Sequence, residues 1–387
     1  MKCSPARSRK QLDCEISANG LEFISRKETR MASQAVTKEK QEAFVGRMVE
    51  ILNDGCLALL ISLGHQTGLF DAMAEMPPST SEQIAKAAKL NERYVREWLG
   101  GMVTGRIVEY DANARTYRLL PEHAASLTRA AGPDNFALFT QYVALLGDVE
   151  QEIVRCFRDG GGIPYSRYGR FQKLQAEETA RIFDAALVET ILPLAPGLVE
   201  RLKMGIEVAD IGCGSGHASN VMAQAFPKSR FAGYDTSEEG IAAGREEAKR
   251  MGLKNARFEM QDAATLGAVE QFHFIAAFDT IHDQAQPTKA LKEIARALRA
   301  DGVFLMQDIM AQSEVQNNME LPLATALYTF STMHCMTVSL ALDGEGLGTM
   351  WGEQKARKML AEAGFESVAV KQIPVDPLNF YYIARKR

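Results

Sequence analysis

No two of the six cysteines form a C-x-x-C pair: Cys3, Cys14, Cys56, Cys156, Cys213 and Cys335 are scattered through 387 residues. That spacing excludes a disulfide framework and a zinc knuckle, and it suits a reducing compartment. Long apolar runs are missing too. The longest, Cys56 to Leu63, falls well short of the roughly 20 residues that span a bilayer, and the first residues lack the continuous apolar core of a secretory signal. Positive charge is not in excess either: 44 Lys and Arg stand against 49 Asp and Glu, a net charge of -5. Bulk electrostatics therefore draws the chain neither to nucleic acid nor to an anionic membrane. With 46% hydrophobic and 24% charged residues, the composition is that of an ordinary globular protein, here expected to be cytoplasmic, and the length allows two domains.

The chain is organised around Val208-Ala-Asp-Ile-Gly-Cys-Gly-Ser-Gly-His217, an apolar strand running into a glycine-rich turn and then into a helix beginning near Ala218. Gly212, Gly214 and Gly216 let the backbone turn tightly and approach a ligand. A dinucleotide fingerprint, G-x-G-x-x-G, needs its third glycine at 217, where His217 stands, so a dehydrogenase is disfavoured. Asp210, inside the strand, gives a pyrophosphate nothing but repulsion, whereas an amino-acid ammonium gains a partner there. The expected ligand is S-adenosylmethionine.

Later spacings agree. Arg230 to Asp235 reads as a second strand, ending about 20 residues on in an acid that can accept both ribose hydroxyls. Phe258 to Ala263 reads as a third strand that places Asp262 at the adenine amino group, and Phe272 to Asp279 as a fourth, buried and parallel. In this order the motifs resemble those of the class I S-adenosylmethionine-dependent methyltransferases, from about Glu207 to the C-terminus. The resemblance implies a seven-stranded Rossmann-like α/β domain over residues 206–387, and cofactor contacts at Asp210, Gly212, Gly214, Gly216, Asp235, Asp262, Ala263 and Asp279.

Residues 1–37 lack apolar periodicity and read as a disordered lead, with Met31 an alternative start. From Lys38 the pattern turns helical; Phe44, Met48, Ile51 and Leu52 share a face, and Cys56 to Leu63 is apolar nearly all round, so that helix needs burial on more than one side. Pro77-Pro-Ser-Thr-Ser81 supplies a breaker and an N-cap for a helix to about Lys89, followed by a second over Glu92 to Thr104. Ile107–Tyr110 and Thr116–Leu119 flank an Asn-containing turn. The run over residues 38–125 resembles a mostly helical winged-helix domain. Its would-be recognition helix sets Arg93 and Arg96 against Glu92 and Glu97, which leaves little net charge for phosphates. A dimerisation role, as the plant-type small-molecule O-methyltransferases imply, gives the excess apolar surface an occupant, a second copy.

Residues 126–205 are expected to form a helical linker and lid, with helices over about Asn135–Arg158 and Glu177–Leu202 enclosing the loop Gly160–Gly169. Flexible glycines, Pro164 and two tyrosines suit a loop that folds over a ligand; a plain connector stays open as the other reading.

After the fourth strand comes Asp279-Thr-Ile-His282-Asp283-Gln284, at the sheet edge where α/β proteins bind ligands. It resembles the Leu-His-Asp-Trp segment of the plant-type enzymes, which implies His282 as general base with Asp283 beside it, although Gln284 replaces the Trp. Packing beside the sheet is the alternative for His282. The same resemblance implies an acidic partner before the final helix, but Gly346-Leu-Gly-Thr-Met-Trp351-Gly352 lacks it and only Glu345 is near, so His282 is expected to lose orientation and basicity. His334 and Cys335 lie in a helical stretch that suits either a pocket wall or the core. No metal site is expected. The function expected is methyl transfer, most readily to oxygen, onto a small aromatic or apolar acceptor by a homodimer; a winged-helix regulator that senses S-adenosylmethionine and an idle scaffold are the alternatives.

Overall fold

The computed structural model describes residues 37–386. The expected lead, with Met31 as an alternative start, lies outside the described residues but for Thr37. The chain divides into two compact units, one ending at Cys56 and the other starting at Leu57. In the first, the helix Lys38–Thr67 begins, and Phe44, Met48, Ile51 and Leu52 on it are exposed.

The second unit opens with a small helical domain. Leu57, Leu60 and Ile61 pack against a core built on Phe70, Val95, Trp98, Leu99 and Met102. The approach is close because Gly101 has no side chain: a Cβ there would lie 2.3 Å from Leu60 Cδ1. Trp98 donates its Nε1–H to the Leu60 carbonyl at 2.8 Å. Helix Ser81–Ala88 starts on a capping box in which Thr80 and Gln83 satisfy each other's backbone N–H, and Asn91 caps helix Glu92–Thr104. The wing is two short antiparallel strands, β1 (Glu109–Asp111) and β2 (Thr116–Arg118). Asp111 shapes its turn by accepting from the N–H groups of Asn113 and Ala114 at 2.8 and 3.0 Å. On the would-be recognition helix the charges pair with one another, Arg93 with Glu97 at 2.5 Å and Arg96 with Glu92 at 3.4 Å.

The linker departs from two long helices. It is broken into Thr140–Gly147, Glu150–Asp159, Phe171–Ala186 and Leu198–Met204. Pro193 and Pro196 remove donors the second expected helix needs, and the backbone there passes through a widened turn, Leu187–Ile191, before resuming.

The large sheet has the order β5-β4-β3-β6-β7-β9-β8, with β3 (Glu207–Ile211), β4 (Arg230–Asp235), β5 (Ala256–Met260), β6 (Phe272–Phe278), β7 (Leu298–Ile309), β8 (Ser367–Ile373) and β9 (Asp376–Arg385). The first five are parallel; β9 runs antiparallel to β7 and β8 to β9. Alternation divides the core. Val208, Phe274, Val303 and Leu305 face helices Phe171–Ala186 and His217–Ala225, while Ala209, Ile275, Phe304 and Met306 face helices Pro287–Ala297 and Gly352–Glu362. The connections reverse direction between β3 and β6, and a crevice opens at the carboxyl ends of the strands beside such a reversal. Among the described residues no single helix is long and apolar enough to cross a membrane.

Replacing Thr80 by Ala removes the Oγ1 that accepts from Gln83 N–H and keeps the backbone N–H that donates to Gln83 Oε1. Urea unfolding should show the variant destabilised by about 0.5–2 kcal/mol; an unchanged midpoint would mean that the wing domain does not depend on this cap.

Candidate active site

The glycine turn and the acid after β4 meet. Gly212 and Cys213 donate their N–H groups to the Tyr234 carbonyl at 2.8 and 3.1 Å, which draws the turn onto β4. Gly214 N–H donates to Asp235 Oδ2 at 2.8 Å and Ser237 N–H to Oδ1 at 2.8 Å. Burial raises the Asp235 carboxyl, against these donors. All three glycines have positive φ, but for different ends. A Cβ on Gly212 would meet Thr280 Oγ1 at 2.0 Å and one on Gly216 would meet Phe258 at 2.3 Å, whereas one on Gly214 would enter open space. Of the three, only Gly214 has open space where a side chain would stand. Asp210 is buried, accepts from Ser219 Oγ at 2.8 Å, and is pushed up by burial to about 7. Asp262 caps the short turn Ala263–Thr265 by accepting from Ala264 N–H at 2.8 Å, with Ala263 buried beside it. These residues stand at the carboxyl ends of β3, β4 and β5, three adjacent strands.

Asp279 follows β6 with φ 52°, and the chain then carries Ile281–Asp283 in a single tight turn. His282 is 3% exposed. Its Nδ1 lies 2.9 Å from Asp308 Oδ1 and 3.8 Å from Asp279 Oδ1. Asp308, at 0% exposure, also accepts Trp351 Nε1–H and its neighbour Ile309 N–H at 2.9 Å each. The expectation that His282 lacks an acid is thus corrected. The acid comes from the end of β7, and the segment Gly346–Gly352 contributes Trp351, which orients that acid. Glu345 is elsewhere, accepting from Thr288 Oγ1 at 2.7 Å.

Burial alone would depress the His282 imidazole; the Asp308 carboxylate, helped by Cys335, outweighs it and holds the ring well above its ordinary value. Asp279 is pushed up to about 6 by burial and Asp283 to about 7 by the same cause. Asp279, His282 and Asp308 stand close enough for a cation. Asp308 Oδ1 faces three nitrogens, His282 Nδ1, Trp351 Nε1 and Ile309 N, while its Oδ2 is buried without a partner.

Asp283 accepts from Tyr165 of the loop Gly160–Gly169 at 3.0 Å. That loop lies tightly on the segment before the final helix: Ile163 N–H donates to Thr337 Oγ1 at 3.0 Å, and a Cβ on Gly162 would fall 2.0 Å from the Thr337 carbonyl. His334 is buried in a cage of Tyr165, Tyr168 and Phe171, stacked on the last at 3.5 Å between centroids. Burial drops its imidazole to about 3, so it stays neutral. His217, where a dinucleotide motif has glycine, joins Asp184 and Glu247 at 3.0 and 3.1 Å.

Sequence reasoning passed over Asp308. The available signal was an acid closing the apolar strand Val303-Phe-Leu-Met-Gln-Asp308, since a charge at the buried end of a parallel strand needs a partner.

A switch-point crevice, a glycine turn with an acid at the next strand end, and the order β5-β4-β3-β6-β7-β9-β8 together define a class I methyltransferase domain, here preceded by a winged helix. Residues 202–373 match the family model described as a methyltransferase domain, and residues 55–129 match the Rv2258c-like winged HTH domain. The chain is 25% identical over 147 residues to a malonyl-acyl-carrier-protein O-methyltransferase of Bacillus cereus, covering 38% of this chain and 49% of that protein. It is 33% identical over 104 residues to a trans-aconitate 2-methyltransferase of Variovorax paradoxus, covering 26% and 37%. The chain thus spans half or less of the length of these curated relatives. Among solved structures it resembles the mitomycin 7-O-methyltransferase MmcR (TM-score 0.66, 16% identity, 90% of this chain and 100% of that one). It also resembles human N-acetylserotonin methyltransferase in complex with S-adenosylmethionine (0.64, 14%, 91% and 99%). The chain thus carries a winged HTH domain followed by a methyltransferase domain whose cofactor is S-adenosylmethionine. The residues present fit that cofactor: Gly214 borders open space, and the Asp235 carboxylate beside it is held by backbone donors at the end of β4.

Two substitutions separate ligand approach from packing. Gly214→Val should abolish S-adenosylhomocysteine binding in calorimetry while cooperative unfolding persists at a lowered midpoint, since a β-branched residue is strained at φ 52°. Gly212→Ala should instead lower stability, because its Cβ has no room beside Thr280. Undiminished binding by Gly214→Val would remove the turn from the cofactor site.

Proposed function

We propose that the chain transfers a methyl group to a hydroxyl of a small aromatic or otherwise apolar acceptor, with His282 as general base and Asp283 in the same site. S-Adenosylmethionine, when bound, supplies an electrophilic methyl group. Asp210, Gly212, Gly214, Gly216, Asp235, Asp262, Ala263 and Asp279 are the residues proposed to hold it, and Asp235 is suited to ribose hydroxyls because its carboxylate is fixed by backbone donors. The chain's remaining task is alignment and removal of a proton.

The observation that carries this reading is the buried pair His282–Asp308. Asp308 Oδ1 accepts from Nδ1–H, which leaves Nε2 to take the proton of an attacking hydroxyl. Trp351 Nε1–H and Ile309 N–H keep Asp308 oriented. The contact of Tyr165 with Asp283 supports residues 126–205 as linker and lid, with residues 206–387 as the cofactor domain. O-methyltransferases among the relatives and structural neighbours support oxygen as the attacked atom. The paired charges of helix Glu92–Thr104 do not favour a DNA-binding regulator.

His282→Ala should lower turnover about 10²–10⁴-fold with cofactor affinity nearly intact. A raised imidazole pKa means that the free base is populated only as pH climbs through a value above 6.5, so turnover should rise with pH there and fall below it. Asp308→Asn removes the charge that raises the ring and should move the rise to lower pH. Near-full turnover by His282→Ala would make the ring part of the framework.

We also infer a homodimer assembled through residues 38–125. Phe44, Met48 and Leu52 are 65%, 48% and 67% exposed on one helix, and a second copy is the partner that such a recurring apolar face fits. The full-length chain should sediment as a dimer at micromolar concentration, and Phe44→Glu with Leu52→Glu as a monomer; a monomeric wild type would refute the assembly.

A further inference from the structure

Methyl transfer to a simple phenol requires an apolar slot and a base. The cavity next to the acid–base pair offers more. Phe139, Ile182 and Phe183 form apolar walls, and Glu178, Asp279, Gln307, Asp376 and Asn379 line the rest. Alternation along β7 turns Gln307 to this face and Asp308 to the other, and Asp279 joins the two, lining the cavity while its Oδ1 lies 3.8 Å from His282 Nδ1.

The lining is short of hydrogen-bond donors. Asp376, 3% exposed, accepts from Gln307 Nε2 at 3.0 Å, Asn379 Nδ2 at 2.9 Å and Tyr381 OH at 2.6 Å. Both amides turn their nitrogens to that carboxylate and leave their carbonyl oxygens without a partner. Gln307 Oε1, Asn379 Oδ1 and Asp279 Oδ1 are buried acceptors with no partner, and Gln307 as a residue is 5% exposed. Arg181, the only cationic side chain in the lining, turns its Nη1 and Nε to backbone carbonyls. Its Nη1 donates to the carbonyls of Gly132, Pro133 and Asn135 at 3.1, 3.0 and 3.1 Å, and its Nε to the Glu178 carbonyl at 3.2 Å.

An unpartnered buried acceptor is destabilising, and native proteins hold few of them. Three on residues of one cavity point to a ligand that brings donors. Burial lifts Glu178 to about 7 and Asp279 to about 6, so both carboxyls gain from a cation that arrives beside them.

We propose that the cavity selects an acceptor carrying an amine, a small aromatic hydroxyl compound whose ammonium group donates its three N–H groups to Gln307, Asn379 and Asp279 beside the Glu178 carboxyl. This rests on the methyltransferase reading above and deepens it. The apolar walls take the ring, and the amine is the specificity handle.

The test uses the full chain saturated with S-adenosylhomocysteine and three phenols of like size: tyramine with a cationic tail, 4-ethylphenol with a neutral one, and 3-(4-hydroxyphenyl)propionate with an anionic one. Calorimetry should show tyramine binding at least about tenfold more tightly than 4-ethylphenol, as charge-assisted hydrogen bonds provide, and the propionate binding weakest. Gln307→Leu should cut the tyramine advantage to less than about threefold. Glu178→Gln, which keeps the Asp376 cluster intact, should reduce it as well and serves if Gln307→Leu fails to fold. Equal affinity for tyramine and 4-ethylphenol in the wild type overturns the amine selectivity alone. Tyramine binding that vanishes once S-adenosylhomocysteine is bound also overturns it, because the cavity then serves the cofactor's own ammonium group. Failure of S-adenosylhomocysteine itself to bind overturns the methyltransferase reading and the selectivity together.

Discussion

A carboxylate with no exposed surface needs donors, and Asp308 gathers three on its Oδ1: His282 Nδ1, Trp351 Nε1 and the Ile309 amide. Each comes from a different stretch, the turn after β6, the segment before the final helix, and β7 itself. The requirement to satisfy one buried charge therefore fixes where these stretches meet. Gly348 N–H donating to the His282 carbonyl at 2.9 Å ties the second to the first again, so the imidazole is clamped through ring and backbone.

The same strand makes two chemistries from adjacent residues. Side chains alternate across a sheet, so Gln307 and Asp308 serve opposite faces, one toward helix Phe171–Ala186 and one toward Trp351. Asp279 lies where the two faces come together, at the open end of β6. Its positive φ is uncommon for a non-glycine residue, and such strain is kept where the surroundings over-determine it.

Local regularities made the glycine turn and the strands beside it legible. Three glycines that need positive φ, an acid closing the following strand, and apolar runs of parallel-strand type are all short-range signals, and they put Gly214 and Asp235 in one place, as the bond between them bears out. The helix Glu92–Thr104 and the turn at Asp111 were legible for the same reason, because N-caps and Asx turns are written within a few residues. The linker was less so. Helical periodicity ran on past Pro193 and Pro196, while the actual course depends on how Leu187, Ile191 and Leu192 are buried against β3 and β6.

By itself, then, the sequence determined the strand-and-turn grammar of the cofactor edge and the balanced charge of the helix Glu92–Thr104, since both follow from backbone sterics and composition. The tertiary structure alone decided which acid serves His282. Asp308 is 26 residues from that histidine and Trp351 is 43 from Asp308; the pairing of β6 with β7 and the return of the segment before the final helix bring them within 3 Å. No motif spacing encodes that approach, because a hydrogen bond between distant side chains depends on the packing of whole elements and not on the residues between them.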